Sequence, residues 1–171
     1  MKKIKLIFFI LISVSLLTGA SIFLMKKFFP KNKIFSKTLD TEFSTNSSID
    51  IDKHHYDCEF SHHIGDTKIK IKNPKSIEGL CIEWSNGKQK ISMGDLSKNL
   101  ENLSFPENSF LNLIVKILDS IPSMDLSESK DDGRYQTFIG NLENNEFEVC
   151  AEKSKILEIN VKSKNAKISF E

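Results

Sequence analysis

Apolar residues follow three different rhythms along this chain, and each predicts a different element. From Leu6 to Met25 they run almost without a break (LIFFILISVSLLTGASIFLM), between Lys2, Lys3 and Lys5 on one side and Lys26 and Lys27 on the other. Such a run, at 1.5 Å per residue, just crosses a hydrocarbon layer about 30 Å thick. From Tyr56 onward the rhythm is two. Tyr56 to Phe60, Lys68 to Lys72, Leu80 to Trp84, Lys88 to Met93, Arg134 to Ile139, Glu146 to Ala151, Ile156 to Val161 and Ala166 to Phe170 alternate apolar with polar residues. These are strand signatures. Asn86-Gly87 lies between two of them and predicts a two-residue hairpin turn, because both central positions of a type I′ turn need positive φ. The third rhythm is helical. Phe110, Leu111, Ile114, Ile117, Leu118 and Ile121 recur at three and four residues, with Pro106 ahead, Asn108 or Ser109 as a cap, and Pro122 as a stop.

The expected fold is therefore α+β. A curved antiparallel sheet of about 7–8 strands wraps around one amphipathic helix, preceded by one N-terminal transmembrane helix. Three segments follow: a membrane anchor or signal peptide over 1–29, a flexible linker over 30–52, and a β-rich extracytoplasmic domain over 53–171. The linker expectation rests on composition. Ser36, Thr38, Thr41, Ser44, Thr45, Asn46, Ser47 and Ser48 leave little apolar surface to offset ordering entropy. Thr18-Gly19-Ala20-Ser21 offers a cleavage site after Ala20. The apolar run continues through Ile22 to Met25, however, longer than a signal core, so a retained single-pass helix is the expectation.

Charge narrows the partners. Seven of the 24 basic residues lie before residue 34, and the first acidic residue is Asp40. The rest of the chain carries 17 basic against 23 acidic residues, a balance of −6. An acidic domain offers no basic patch for nucleic acid. The membrane is the expected partner, with a lipid or a membrane-associated protein beside it. An inserted first helix followed by an acidic domain places that domain on the extracytoplasmic side.

Chemical motifs are scarce. The chain has no clustered glycines for a phosphate loop, no Gly-x-Ser-x-Gly elbow and no His-Glu-x-x-His helix. Neither an enzyme nor a cofactor is expected. The exception is the segment from His54 to His63, which gathers all four histidines with Cys58. His54, Cys58 and His62 are the metal-ligand candidates. On a strand they share a face but stand about 13 Å apart. The simpler reading makes His55 and His63 solvated and Cys58 a buried thiol. By alternation, Cys81 and Cys150 point off the core face, and an exported domain would let them form a disulfide if their strands are neighbours. Trp84, Phe138, Phe147, Ile114 and Leu118 either fill the core or line a hydrophobic ligand cavity.

The element order, with Asn73-Pro74-Lys-Ser-Ile-Glu-Gly79-Leu80 before the hairpin and Arg134-Tyr135, Phe147-Glu-Val149 and Ile156-Leu-Glu-Ile159 near the end, carries a resemblance. The stretch from about Tyr56 to Glu171 resembles membrane-anchored extracytoplasmic proteins of low-GC Gram-positive bacteria, whose fold is similar to the lipoprotein carriers (LolA- or MucB-like half-barrels). The chain departs from that pattern in lacking a lipobox cysteine. The resemblance implies no enzyme activity and a concave apolar sheet able to bind an acyl chain or a partner's tail. Three functions follow as expectations. The first is a non-enzymatic module binding a lipid or hydrophobic ligand. The second is a structural or regulatory interaction module of the cell envelope or sporulation machinery. The third is a metal sensor using the His/Cys cluster. A half-empty cavity favours the first, and a filled core with an exposed apolar patch favours the second.

Overall fold

The computed structural model describes residues 39–99 and 109–171. The apolar run Leu6–Met25 and the expected anchor lie outside the described residues. Among the described residues, no helix is long and apolar enough to cross a membrane.

The described chain forms one open antiparallel sheet of eleven strands and one α-helix, rather than the 7–8 strands that alternation suggests. Strands β1 (Phe43–Ile51), β2 (His54–His63), β3 (Asp66–Asn73), β4 (Leu80–Ser85), β5 (Lys88–Met93) and β6 (Leu96–Asn99) form a first meander. The helix α1 (Phe110–Ser120) follows. A second meander comprises β7 (Ser127–Asp131), β8 (Gln136–Leu142), β9 (Asn145–Glu152), β10 (Lys155–Val161) and β11 (Ala166–Phe170). Spatial order is β6-β5-β4-β3-β2-β1-β11-β10-β9-β8-β7, so the two meanders join where β1 pairs with β11.

β1 corrects the linker expectation over 30–52. Phe43–Ile51 is a central strand, hydrogen-bonded to β2 on one side and β11 on the other. Its Phe43, Thr45, Ser47, Ile49 and Ile51 alternate onto the core side, where Ile49 is 2% and Ser47 5% exposed. The period of two is present in Ser/Thr-rich sequence; neighbouring strands supply the stability that its composition does not.

Local signals explain the other elements. Asn86 and Gly87 take φ of 50° and 74°, as a type I′ turn requires. The β8–β9 turn is Glu143-Asn144, with φ of 50° and 63°. The Ser109 side chain caps α1 by accepting from the Asn112 N–H at 3.3 Å. In β10, Ile156 and Ile159 both face the core although three residues apart, because a bulge between Ile156 and Glu158 shifts the parity.

α1 fills the space inside the sheet. Leu113, Ile114, Ile117 and Leu118 are at most 2% exposed, each burial worth about 1.5–3 kcal/mol. The helix is about 16 Å long. Gln89 on β5 donates to Asn112 at 3.5 Å, while Lys116 pairs with Glu143 beside β9 at 2.7 Å. Those strands stand seven places apart in the sheet order, on the order of 34 Å if flat. The sheet therefore curves around the helix, and its inner face is concave.

Gly140 marks the tightest packing. It stands opposite Phe147, and a Cβ built there would press into the Phe147 ring and lie 2.7 Å from Leu126 Cδ2. Gly140→Ala is expected to cost about 1–3 kcal/mol, read as a lower urea midpoint with an unchanged slope.

Candidate functional site

Register pairing sorts the concave face into cross-strand rows. One row runs Phe43, His62, Thr67, Trp84, Gln89. The next runs Thr45, Phe60, Ile69, Ile82, Ile91. The last carries Leu80, Met93 and Leu96 across β4, β5 and β6. Of the five residues read as either core filling or cavity lining, four are sealed in the core, and Trp84, 7% exposed, also lines the smaller of two hollows. Trp84, Phe138, Phe147, Ile114 and Leu118 belong to one buried cluster. Ile114 and Leu118 are 0% exposed and Phe138 and Phe147 1%. These side chains fill the core beneath the helix.

Cover by α1 ends before the sheet does. Leu80 and Ile91 are half-buried, Met93 is 42% exposed and Leu96 78%. Leu80, Met93 and Leu96 are directly opposed in register and form an apolar strip at the β6 edge. Exposed apolar groups in one row differ from isolated surface leucines, because one ligand can cover them together. Two further hollows mix polar and apolar lining, with Cys58 and Phe170 in the first and Trp84 in the second. One, of about 320 Å³, is rimmed by Asn46, Asp57, Lys72 and Glu171; the other, of about 250 Å³, by His63, Asp66, Lys68 and Glu83.

The histidine segment does not gather ligands. His54 is exposed at the start of β2, Cys58 is buried at its middle and His62 is buried near its end. Among the described residues no three potential ligands converge. His55 is on the convex face between two carboxylates, with Nδ1 2.6 Å from Asp50 and Nε2 3.1 Å from Asp57, so neither nitrogen is open to a metal. His62 Nδ1 is 2.7 Å from Thr67 Oγ1, and its Nε2 faces Asp119 of α1 at 3.6 Å. This order of hydroxyl, imidazole and carboxylate is that of a nucleophile relay, but Thr67 is 3% exposed and admits no substrate. Alternation places His62 on the core side with Cys58 and Phe60; nothing in β2 alone points to Thr67 or Asp119 as its neighbours.

The cysteine expectation is corrected. Cys58, Cys81 and Cys150 are free thiols. Cys81 is on β4 and Cys150 on β9, with five strands between them in the sheet order. That separation is about 29 Å along the sheet, against the 7 Å limit between bridged Cα atoms. Burial raises all three thiols above their ordinary range, most directly Cys58, whose Sγ is 3.0 Å from Ser47 Oγ.

Two outcomes follow. Denatured without reductant, the chain is expected to titrate as three thiols with Ellman's reagent, and two fewer would mean a bridge. His55 has its pKa raised above 6.5, chiefly by the hydrogen bond to Asp50 and opposed by desolvation. Its stabilising contribution is therefore complete below pH 6.5 and lost as pH climbs through the raised value. His55→Asn should lower the melting temperature at pH 5.5 more than at pH 8.5, by scanning calorimetry.

No protein-family model matches the chain. No curated protein matches it either. Among solved structures, it is similar to the crystal structure of a LolA-superfamily protein from Nitrosomonas europaea, with a TM-score of 0.39 and 9% identity over 75% of this chain and 69% of that one.

Proposed function

We propose that this chain is a non-enzymatic, membrane-tethered binding module on the extracytoplasmic side, and that it holds a hydrophobic ligand against the uncovered end of its concave sheet. The apolar strip of Leu80, Met93 and Leu96, flanked by Ile91, carries this reading. Of the two roles read for Trp84, Phe138 and Phe147, core filling fits their burial, so the strip and not these residues is the proposed ligand surface. The tether rests on the Leu6–Met25 run.

Energetics set the class of ligand. Covering about 200 Å² of apolar surface yields at most about 5 kcal/mol, equivalent to a dissociation constant of about 0.2 mM. A single acyl chain meets that description, and a membrane-held protein meets its ligand at raised local concentration. The filled core supports a second reading, in which the strip receives the apolar face of a protein partner.

The test uses the full chain in lipid nanodiscs with ¹³C-methyl methionine. Titrating dodecanoate should shift the Met93 methyl resonance saturably and leave that of Met124 in place. Leu96→Asp should weaken the effect about tenfold, or 1.4 kcal/mol. An unmoved Met93 signal at millimolar dodecanoate would remove the ligand reading and leave the protein partner.

A further inference from the structure

His62 is the one histidine sealed in the core, at 0% exposure. Its surroundings satisfy only half of the ring. Nδ1 is 2.7 Å from Thr67 Oγ1, whereas Nε2 has no hydrogen-bond partner, since Asp119 Oδ1 at 3.6 Å is out of reach. Asp119 is in the last turn of α1, where the helix dipole disfavours a carboxylate. The same Oδ1 accepts the Gly65 N–H at 2.9 Å, so this one carboxylate joins the helix end to the β2–β3 turn. The titratable and polar groups facing the ring are Asp119 from α1, Glu42 ahead of β1, His63 next along β2, and the Thr67 hydroxyl from β3.

We propose that His62 and Asp119 form an acid-operated latch, which seats the C-terminal end of α1 in the concave sheet near neutral pH and releases it on acidification. An imidazolium needs acceptors at both nitrogens or water beside it. The packed state supplies neither at Nε2, so it accommodates the neutral ring. A charge forms readily only when the helix end moves and admits water. Burial, the largest influence, lowers the His62 pKa, and it outweighs the opposing attraction of Asp119. The sign follows: below pH 6.5 the opened state binds a proton that the packed state resists, so opening grows as pH falls. The limit is tenfold per pH unit until the packed-state pKa is reached. Opening would bare Ile117 and Leu118. The proposal stands apart from the ligand reading, because no ligand enters its measurement.

The experiment is hydrogen–deuterium exchange of the full chain in nanodiscs from pH 7.5 to 5.0, corrected for intrinsic exchange. His55→Asn serves as background, removing the opposite titration on the convex face. Protection of the last turn of α1 and of the β2–β3 turn should fall severalfold between pH 6.5 and 5.5, with β8 and β9 unchanged. His62→Leu should flatten that response. Asp119→Asn, which keeps an acceptor for Gly65 but removes the attraction that raises the packed-state pKa, should leave the onset in place and extend the response to lower pH, and this variant serves if His62→Leu does not fold. Protection of α1 that is flat with pH, or a His62 ring titrating at or above pH 6.5 by NMR, would overturn the latch.

Discussion

The pairing of β1 with β11 is the constraint on which the rest of the sheet depends. Every other described strand pair joins sequence neighbours, and each meander could in principle form from its own hairpins. Among the described strands, β1 against β11 is the one strand pair that joins the two halves, from Ser47 opposite Phe170 to Ile51 opposite Ala166, with a single bridge from Asp40 to Lys155 beside it. Both ends of the seam are reinforced. At one end, Phe43, Phe60 and Phe170 form an aromatic cluster with centroids 4.9–6.0 Å apart, and the Thr45 hydroxyl donates to the Glu171 carbonyl at 2.7 Å. At the other, the Asp52 N–H donates to the Asn165 carbonyl at 3.0 Å. Contacts so distant in sequence form only after long loop-closure entropy has been met, so the seam is the step that gives α1 a closed concave seat.

That seat explains why the two ends of the concave face differ. α1 crosses the strands along the row that contains His62, Thr67 and Gln89, and its own polar side chains meet that row at Asn112 and Asp119. The helix is thus positioned by polar contacts at Asn112, Lys116 and Asp119 and stabilised by the apolar residues between them. The row two steps away, Leu80, Met93 and Leu96, has no such partner among the described residues. The uncovered strip and the half-satisfied imidazole both follow from an eleven-residue helix laid across a sheet too wide for it.

Strand and helix identities were legible where local chemistry and tertiary placement agreed. Lys68-Ile-Lys-Ile-Lys72 reads as a strand because its lysines are solvated and its isoleucines buried, and Ser109 and Pro122 bound a helix by mechanisms that act within one turn. β1 was hidden because its core side is Phe43, Thr45, Ser47, Ile49 and Ile51, a pattern that stabilises only between two partners. β6 and β7 are short and polar, so pairing rather than propensity defines them. Cys81 and Cys150 do point off the core face, as alternation indicates, but parity carries no information about strand order. The same limit hid the neighbours of His62. A face can be read from spacing, whereas a contact between β2, β3 and α1 depends on the whole topology.

The two edges of the open sheet differ in a way that bears on the apolar strip. An unpaired edge invites further strands unless charge, bulges or brevity blunt it. β7 presents Glu128, Lys130 and Asp131 and is broken by a bulge between Glu128 and Lys130. β6 pairs with β5 without a register shift, is four residues long, and brings Leu96 to the edge at 78% exposure. Brevity limits what β6 can recruit by backbone pairing, so its exposed side chain is the stronger attraction. An apolar ligand lying along the face, rather than a strand added at the edge, is the occupant that this combination favours.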